Sequence, residues 1–299
     1  MIYSVRHTTT FSYLPGVREI VMEVRMQPRS DGCQRCLAFS LDVDPKANVM
    51  GYTDFSGNSV HHFDIPGCHS RVNLTGEALV EIHEAPLPYA SAAGTWQDLD
   101  TLLATGEYWE SLAPSHYVQS SEPLERFASE LRLHRDANPF EFLLRLNEIM
   151  YHAFEYVDNA TAVDSPIEGT LRTRQGMGKD FAHIMITLLR RHQIPSRYVS
   201  GYLAPGSEGK DRFPLGGAHA WVEAFLPGLA WVAVDPANNL VCGKRHIRVA
   251  LGRDYADVPS TRGVYKGKAE SGLSSSVTVS SVKAAQLPAF LQQSRQASA

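Results

Sequence analysis

The hydrophobic period of this chain changes near residue 90, and that change limits the folds open to it. Up to about Ile82, apolar and polar residues alternate, as in Ile20-Val21-Met22-Glu23-Val24-Arg25-Met26 and Leu37-Ala38-Phe39-Ser40-Leu41-Asp42-Val43. Turn clusters break the runs at Pro28-Arg29-Ser30-Asp31-Gly32, Asp44-Pro45 and Ser56-Gly57-Asn58. A period of two demands strands with one buried face, and short strands at this spacing predict an all-β sandwich. A polar, proline-marked connection runs from about Glu84 to Thr95, and the period then lengthens. Ser121 with Glu122-Pro123 and Glu125 opens one helix; Asn138-Pro139-Phe140-Glu141 opens another, in which Phe142, Leu143, Leu146, Ile149 and Met150 recur at helical spacing. Asp180 to His192 reads as a further helix with Phe181, Ile184, Met185, Leu188 and Leu189 on one face. Strand-like runs follow at Arg197–Leu203, His219–Phe225 and Ala230–Asp235. The expected class is α+β. At 299 residues the chain exceeds one ordinary core, so a β-domain over 1–95 and a second domain over 96–282 are expected.

Composition narrows the partners. Hydrophobic residues at 43% and charged residues at 20% are those of a folded globular protein. A net charge of −4 gives no electrostatic footprint for a polyanion, so nucleic acid is not an expected partner. The first residues, Met1-Ile2-Tyr3-Ser4-Val5-Arg6-His7, alternate like a strand instead of forming a secretory leader. The most apolar helical stretch, Ile184 to Leu189, stops at Arg190-Arg191, far short of a membrane span. A cytoplasmic protein without membrane contact is therefore expected. Residues from about Ala269 to Val282 read as a last strand, and Lys283 to Ala299, rich in Ser, Ala and Gln, as a disordered tail. Four cysteines in such a chain make no disulfide framework. Cys33 and Cys36 form a C-x-x-C pair that Cys68-His69 would have to complete for zinc; two thiols around the turn after Asp31-Gly32 is the simpler reading.

The chemistry-bearing residues lie in the second domain. Thiol acyl transfer needs a cysteine at a helix N-terminus, a histidine to move the proton and a carboxylate to orient that histidine. Gly217-Ala218-His219-Ala220-Trp221-Val222-Glu223 and Trp231-Val232-Ala233-Val234-Asp235-Pro236-Ala237-Asn238 supply the last two on neighbouring strand-like runs joined at Pro227-Gly228-Leu229. Antiparallel pairing would set His219 at the start of one strand against Asp235 at the end of the next.

The run Gly176-Met177-Gly178-Lys179-Asp180-Phe181-Ala182-His183 resembles the core motif G-V-C-Q-D-F-A-H of the transglutaminase-like proteins. Gly201-Tyr202, His219-Ala220-Trp221-Val222-Glu223 and Asp235-Pro236-x-Asn238 are similar to its later blocks. His246 to Gly263 and an N-terminal β-domain with Gly57-Asn58 and His61-His62-Phe63 are typical of a bacterial subgroup. The resemblance spans residues 1 to 282. It implies a β-sandwich followed by a papain-like core of helices packed on an antiparallel sheet, and amide-bond hydrolysis or acyl transfer as the ancestral chemistry. His219 takes the base's place and Asp235 that of its orienting acid. Gly178 stands where the nucleophilic cysteine belongs and Lys179 where glutamine is usual, so thioester chemistry is excluded at that position.

An inactive or atypical member that binds a peptide, an amide-containing small molecule or a protein partner is expected, with no cofactor. The alternative is an active amide-bond enzyme using another nucleophile, water or a metal. Lys179, Asp180, His183, Tyr202 and Trp221 are expected to line the cleft. Asp180, His183, His219 and Asp235 offer zinc-type ligands, although His183 more simply bonds within the fold and Tyr202 sits half-buried. Cys242, seven residues after Asp235, lacks the helix-start context of a displaced nucleophile. Lys179 beside the glycine favours natural divergence over an engineered replacement.

Overall fold

The computed structural model describes residues 1–83, 93–136, 138–158, 165–206, 212 and 216–283. The segment expected to form a disordered tail lies, from residue 284 on, outside the described residues, as does most of the connection after His83.

The alternating N-terminal region forms β1 (Ile2–Val24), β2 (Gln34–Asp44), β3 (Met50–Thr53) and β4 (Ser59–Ile82). β1 and β4 pair antiparallel from Ile2↔Glu81 to Val24↔His61. Their register slips between Ser12 and Val17, around Pro15-Gly16, and again between Arg18 and Ile20. Irregularities of this kind bend a strand pair. Because of the bend, Val72 and Leu74 from one half of β4 share a buried cluster with Phe63 and Ile65 from the other half, together with Ile20, Met22 and Val43. The expected sandwich is thus one antiparallel sheet folded over its own middle.

The second domain begins with α1 (Trp96–Leu103), α2 (Trp109–Leu112), α3 (Glu122–Leu131) and α4 (Pro139–Ala153). A small parallel pair, β5 (Glu155–Tyr156) and β6 (Gln175–Gly176), brackets α5 (Glu168–Thr173) and leads into α6 (Gly178–Arg191). A sheet of β7 (Ser196–Leu203), β8 (His219–Leu226), β9 (Ala230–Asp235), β10 (Leu240–Val241) and β11 (His246–Gly252) follows, in the order β10-β9-β8-β7-β11. Ala220, Val222, Ala224 and Leu226 of β8 face Phe181, Ile184 and Leu188 of α6 and Phe142 and Leu146 of α4 in the main core. α6 is buried on nearly every side, which is how a helix becomes the rigid centre of a domain. On the opposite face of this sheet Trp221 packs with Val199 and Leu251. Gly201 makes that packing feasible, since a Cβ there would sit 2.4 Å from the Trp221 ring and 2.2 Å from the Ile247 carbonyl.

The chain then returns to the first sheet. β12 (Thr261–Lys266) pairs with residues 18–24 of β1 and β13 (Glu270–Val282) with residues 2–14. The last strand expected for the 96–282 domain therefore completes the N-terminal sheet, covering a 23-residue edge of β1 that would otherwise stay open. Two amide side chains lock the domains together. Gln34 donates to and accepts from the backbone of Arg248, both at 2.8 Å, and Asn58 does the same with Leu251, again at 2.8 Å. Each amide acts as a fragment of strand that satisfies the free edge of β11. Arg248 adds ion pairs to Asp31 at 2.6 Å and Glu223 at 3.3 Å. No helix among the described residues is long and apolar enough to cross a membrane.

Candidate functional site

α6 begins two residues earlier than its apolar pattern suggests, at Gly178. Asp180 causes this: its carboxylate, fully buried, accepts the N–H of Met177 at 2.9 Å and ties off the helix start. The Lys179 ammonium donates to the other Asp180 oxygen at 2.8 Å and neutralises it. These two residues therefore build the helix start. The first-turn N–H groups of Gly178 and Lys179, with the positive end of the helix dipole, point out of it.

Antiparallel pairing of β8 with β9 brings the His219 imidazole against Asp235, Nε2 to Oδ2 at 2.7 Å, with both side chains buried. Asp235 collects further donors. His246 Nε2 reaches Oδ2 at 3.2 Å, Asn238 Nδ2 reaches Oδ2 at 2.8 Å, and the Ala237 and Asn238 N–H groups reach Oδ1 at 3.0 and 3.3 Å. Burial works to raise this carboxyl, but the two imidazoles outweigh it and hold Asp235 well below the usual carboxylate range. An ionised carboxylate only accepts, so His219 carries its proton on Nε2 and its other nitrogen, Nδ1, is the basic one. That Nδ1 faces the helix start. A Cβ built on Gly178 would lie 3.6 Å from it and 3.9 Å from the Ala220 carbonyl, ordinary contact distances. The arrangement sets an imidazole, the carboxylate that orients it and a helix N-terminus around a position that has no side chain.

His219, Asp235 and His246 also present three ligand-type atoms within 4.8 Å of one another. The hydrogen bonds assign them another role. The Gly243 N–H points at His246 Nδ1 at 3.3 Å, so His246 carries its proton on Nε2 and donates it to Asp235. A metal would need the Nε2 lone pair instead. Burial pushes His246 below its ordinary pKa, with Asp235 pulling the other way.

The other expected site residues are placed elsewhere. His183 is not in the cleft. Its ring stacks between Tyr117 and Tyr198, at 5.1 and 5.0 Å, and accepts the Tyr255 N–H at 3.1 Å. Burial lowers it to about 3, so it is a neutral core histidine. The zinc set of Asp180, His183, His219 and Asp235 is thereby dissolved. Tyr202 is fully buried at the domain junction, its hydroxyl 3.0 Å from His7 Nδ1 and 3.3 Å from the Met26 carbonyl. Trp221 flanks the histidines from beneath, 5.2 Å from His246 and 6.0 Å from His219 between ring centres, and is wholly buried. Cys242 belongs to the small Trp221 cluster, where burial pushes its thiol far up. Cys36 pairs with Val80 and Cys68 with Arg18, twelve residues apart along β4, so the C-x-x-C pair and Cys68-His69 do not meet. Sequence reasoning assigned no role to His246, although it opens one of the quoted blocks, nor to Asn238, whose position after Asp235-Pro236 was the available signal.

Two family models match the chain: the Bacterial transglutaminase-like N-terminal region over residues 3–81 and the Transglutaminase-like superfamily over residues 127–236. The chain is similar to an uncharacterized protein of Mycobacterium leprae, at 28% identity over 90% of this chain and 95% of that protein. One of Mycobacterium tuberculosis is 29% identical over 91% and 90% respectively. A shorter match, 30% identical, joins 47% of this chain to 22% of a protein-glutamine gamma-glutamyltransferase of Pseudomonas aeruginosa. Among solved structures, a protein of Cytophaga hutchinsonii put forward as a cysteine protease superposes with a TM-score of 0.75. It covers 95% of this chain and 92% of that one at 22% identity, a likeness of fold.

Proposed function

The chain belongs to the transglutaminase-like superfamily and carries its bacterial N-terminal region, and from that premise we propose that it binds a peptide or other amide-bearing ligand without covalent chemistry. Support comes from Gly178. The position lies at the N-terminus of α6 with His219 Nδ1 3.6 Å from where a Cβ would stand. That is the geometry of a thiol held between a helix dipole and its base, with the thiol missing. Glycine cannot attack a carbonyl. What is left is a buried helix start with backbone N–H groups and an imidazole beside it, suited to holding an amide carbonyl or a carboxylate.

A second reading has the same observation in its favour: a water in the space of the absent side chain would meet the basic nitrogen of His219, giving slow hydrolysis. A library of peptides and small amides, offered to this protein and to a Gly178→Cys variant, separates the two. Turnover by the variant alone agrees with a binding protein built on an intact base and acid. Turnover by the parent that a folded His219→Ala variant lacks overturns it.

A further inference from the structure

β13 is thirteen residues long and, after Glu270, reads Ser-Gly-Leu-Ser-Ser-Ser-Val-Thr-Val-Ser-Ser-Val, without a charge or a proline. Sheet edges are ordinarily guarded by charges, prolines or covering groups. Two other edges follow that rule: β2 carries Arg35, Asp42 and Asp44, and β11 is covered by Gln34 and Asn58. Residues Ser271 to Ser276 of β13 are exposed.

We propose that the outer edge of β13 receives an extended, uncharged peptide by strand addition and leads it to the Gly178–His219 cleft; this rests on the reading that the cleft holds a peptide. One backbone segment already uses this edge. The Val277 N–H donates to the Gly216 carbonyl at 2.7 Å, while Val277 stands opposite His7 in the register with β1. Backbone groups alternate sides along an antiparallel strand, so Leu273, Ser275, Val279 and Ser281 turn theirs the same way, away from β1. Among the described residues Gly216 is the backbone partner on that side. Between the edge and Gly216-Gly217 lies a hollow of about 310 Å³, lined also by Leu203, Pro205 and Val279. Glycines at 216 and 217 permit another backbone to approach closely. Gly217 is two residues from His219, about 7 Å of extended chain. Small serine side chains along the edge leave main-chain hydrogen bonds as the source of affinity, and the lack of charge sets the class of ligand.

The test is residue-resolved amide hydrogen exchange on the full chain, with a pool of random hexapeptides of Gly, Ala, Ser, Val and Gln, blocked at both ends. The pool is expected to slow Leu273, Ser275, Val279 and Ser281 and to leave Ser276, Thr278 and Ser280, already bonded to β1, unchanged. Val279→Pro removes one outward N–H and should weaken binding of the pool by about tenfold while the β1 ladder keeps its protection. If that variant loses the ladder, Ser281→Pro, near the strand's end, takes its place. Slowing confined to the start of α6 and the residues beside His219 overturns the edge and leaves the cleft as a binding site. Outward amides already slow without peptide, in a concentration-dependent way, assign the edge to a second copy of the chain and also overturn it, as does no slowing at millimolar pool. Turnover of the small amides by Gly178→Cys needs no strand addition at β13, so the two ideas fail separately.

Discussion

Replacing Gly178 with cysteine should restore a thiolate, and the geometry says how strongly. The new Cβ meets His219 Nδ1 at 3.6 Å and nothing closer, so the variant should fold with a stability change of about 1 kcal/mol or less. Its sulfur would lie within about 4 Å of the imidazole. A thiolate–imidazolium pair at that distance attracts by about 4 kcal/mol at an effective dielectric near 20, equivalent to about three pKa units. The start of α6 adds ~0.3–1 kcal/mol in the same direction, and burial of the charge opposes both. From an ordinary value of about 8.5, the introduced thiol should titrate near 6. Iodoacetamide alkylation followed by peptide-resolved mass spectrometry isolates this thiol from Cys33, Cys36, Cys68 and Cys242. The rate should rise with a midpoint near pH 6, and His219→Ala in the same background should move the midpoint above about 7.5. A thiol that titrates near 8.5 whether or not His219 is present would refute the placement of base and helix start on which the proposed function rests.

Four further outcomes follow from the same contacts. Asn58→Ala removes both bonds to the Leu251 backbone and should cost about 2–4 kcal/mol in urea unfolding; a loss under 0.5 kcal/mol would mean that the domains do not depend on this lock. His7 and His183 are lowered by burial to about 4 and about 3. Each therefore contributes stability that is complete above the unfolded value near 6.5 and is lost as pH falls through the folded value, about 3 and 5 kcal/mol at the limit. Unfolding midpoints should drop steadily from pH 6.5 to 4, and His183→Phe should flatten that slope. Tyr202→Phe should lower stability through its lost bond to His7 but leave the alkylation profile of Gly178→Cys unchanged, since Tyr202 lies at the domain junction. Zinc titrated into the parent at pH 7 should show no stoichiometric binding in calorimetry, because His246 holds its proton on the nitrogen facing Asp235; one bound equivalent lost on His246→Gln would contradict the tautomer assigned here.

The two-residue period of the first 82 positions and the 3.6-residue period of α4 and α6 were readable because burial enforces them. The pairing of β13 with β1 was not, since it joins positions such as Tyr3 and Ser281, and no local pattern records which distant edge a strand fills. At the site, His219 and Asp235 were readable because two consecutive strands joined by a tight turn leave little freedom in register. His183 and Tyr202 were misplaced for the opposite reason. A helix or strand has two or more faces, and only the packing of Tyr117, Tyr198 and Tyr255 around one, and of His7 against the other, decides which way each side chain turns. His246 joined the site through β11, which reaches β8 only across β7.

A paired histidine and aspartate beside Gly178 invite a catalytic explanation, but charge burial supplies a simpler one. Asp235 is wholly buried and ionised, a state that costs several kcal/mol unless donors surround it. His219, His246, Asn238 and two backbone N–H groups are those donors. Removing His219 would therefore destabilise the fold whether or not any substrate is turned over, and the dyad can be retained for folding alone. Retention of the pair says nothing for or against activity. The weight rests on residue 178, where a Cβ would meet its neighbours at ordinary contact distances, so packing around the backbone does not require the glycine. A glycine that packing does not impose, beside a paired histidine and aspartate, is what the proposed binding protein would show.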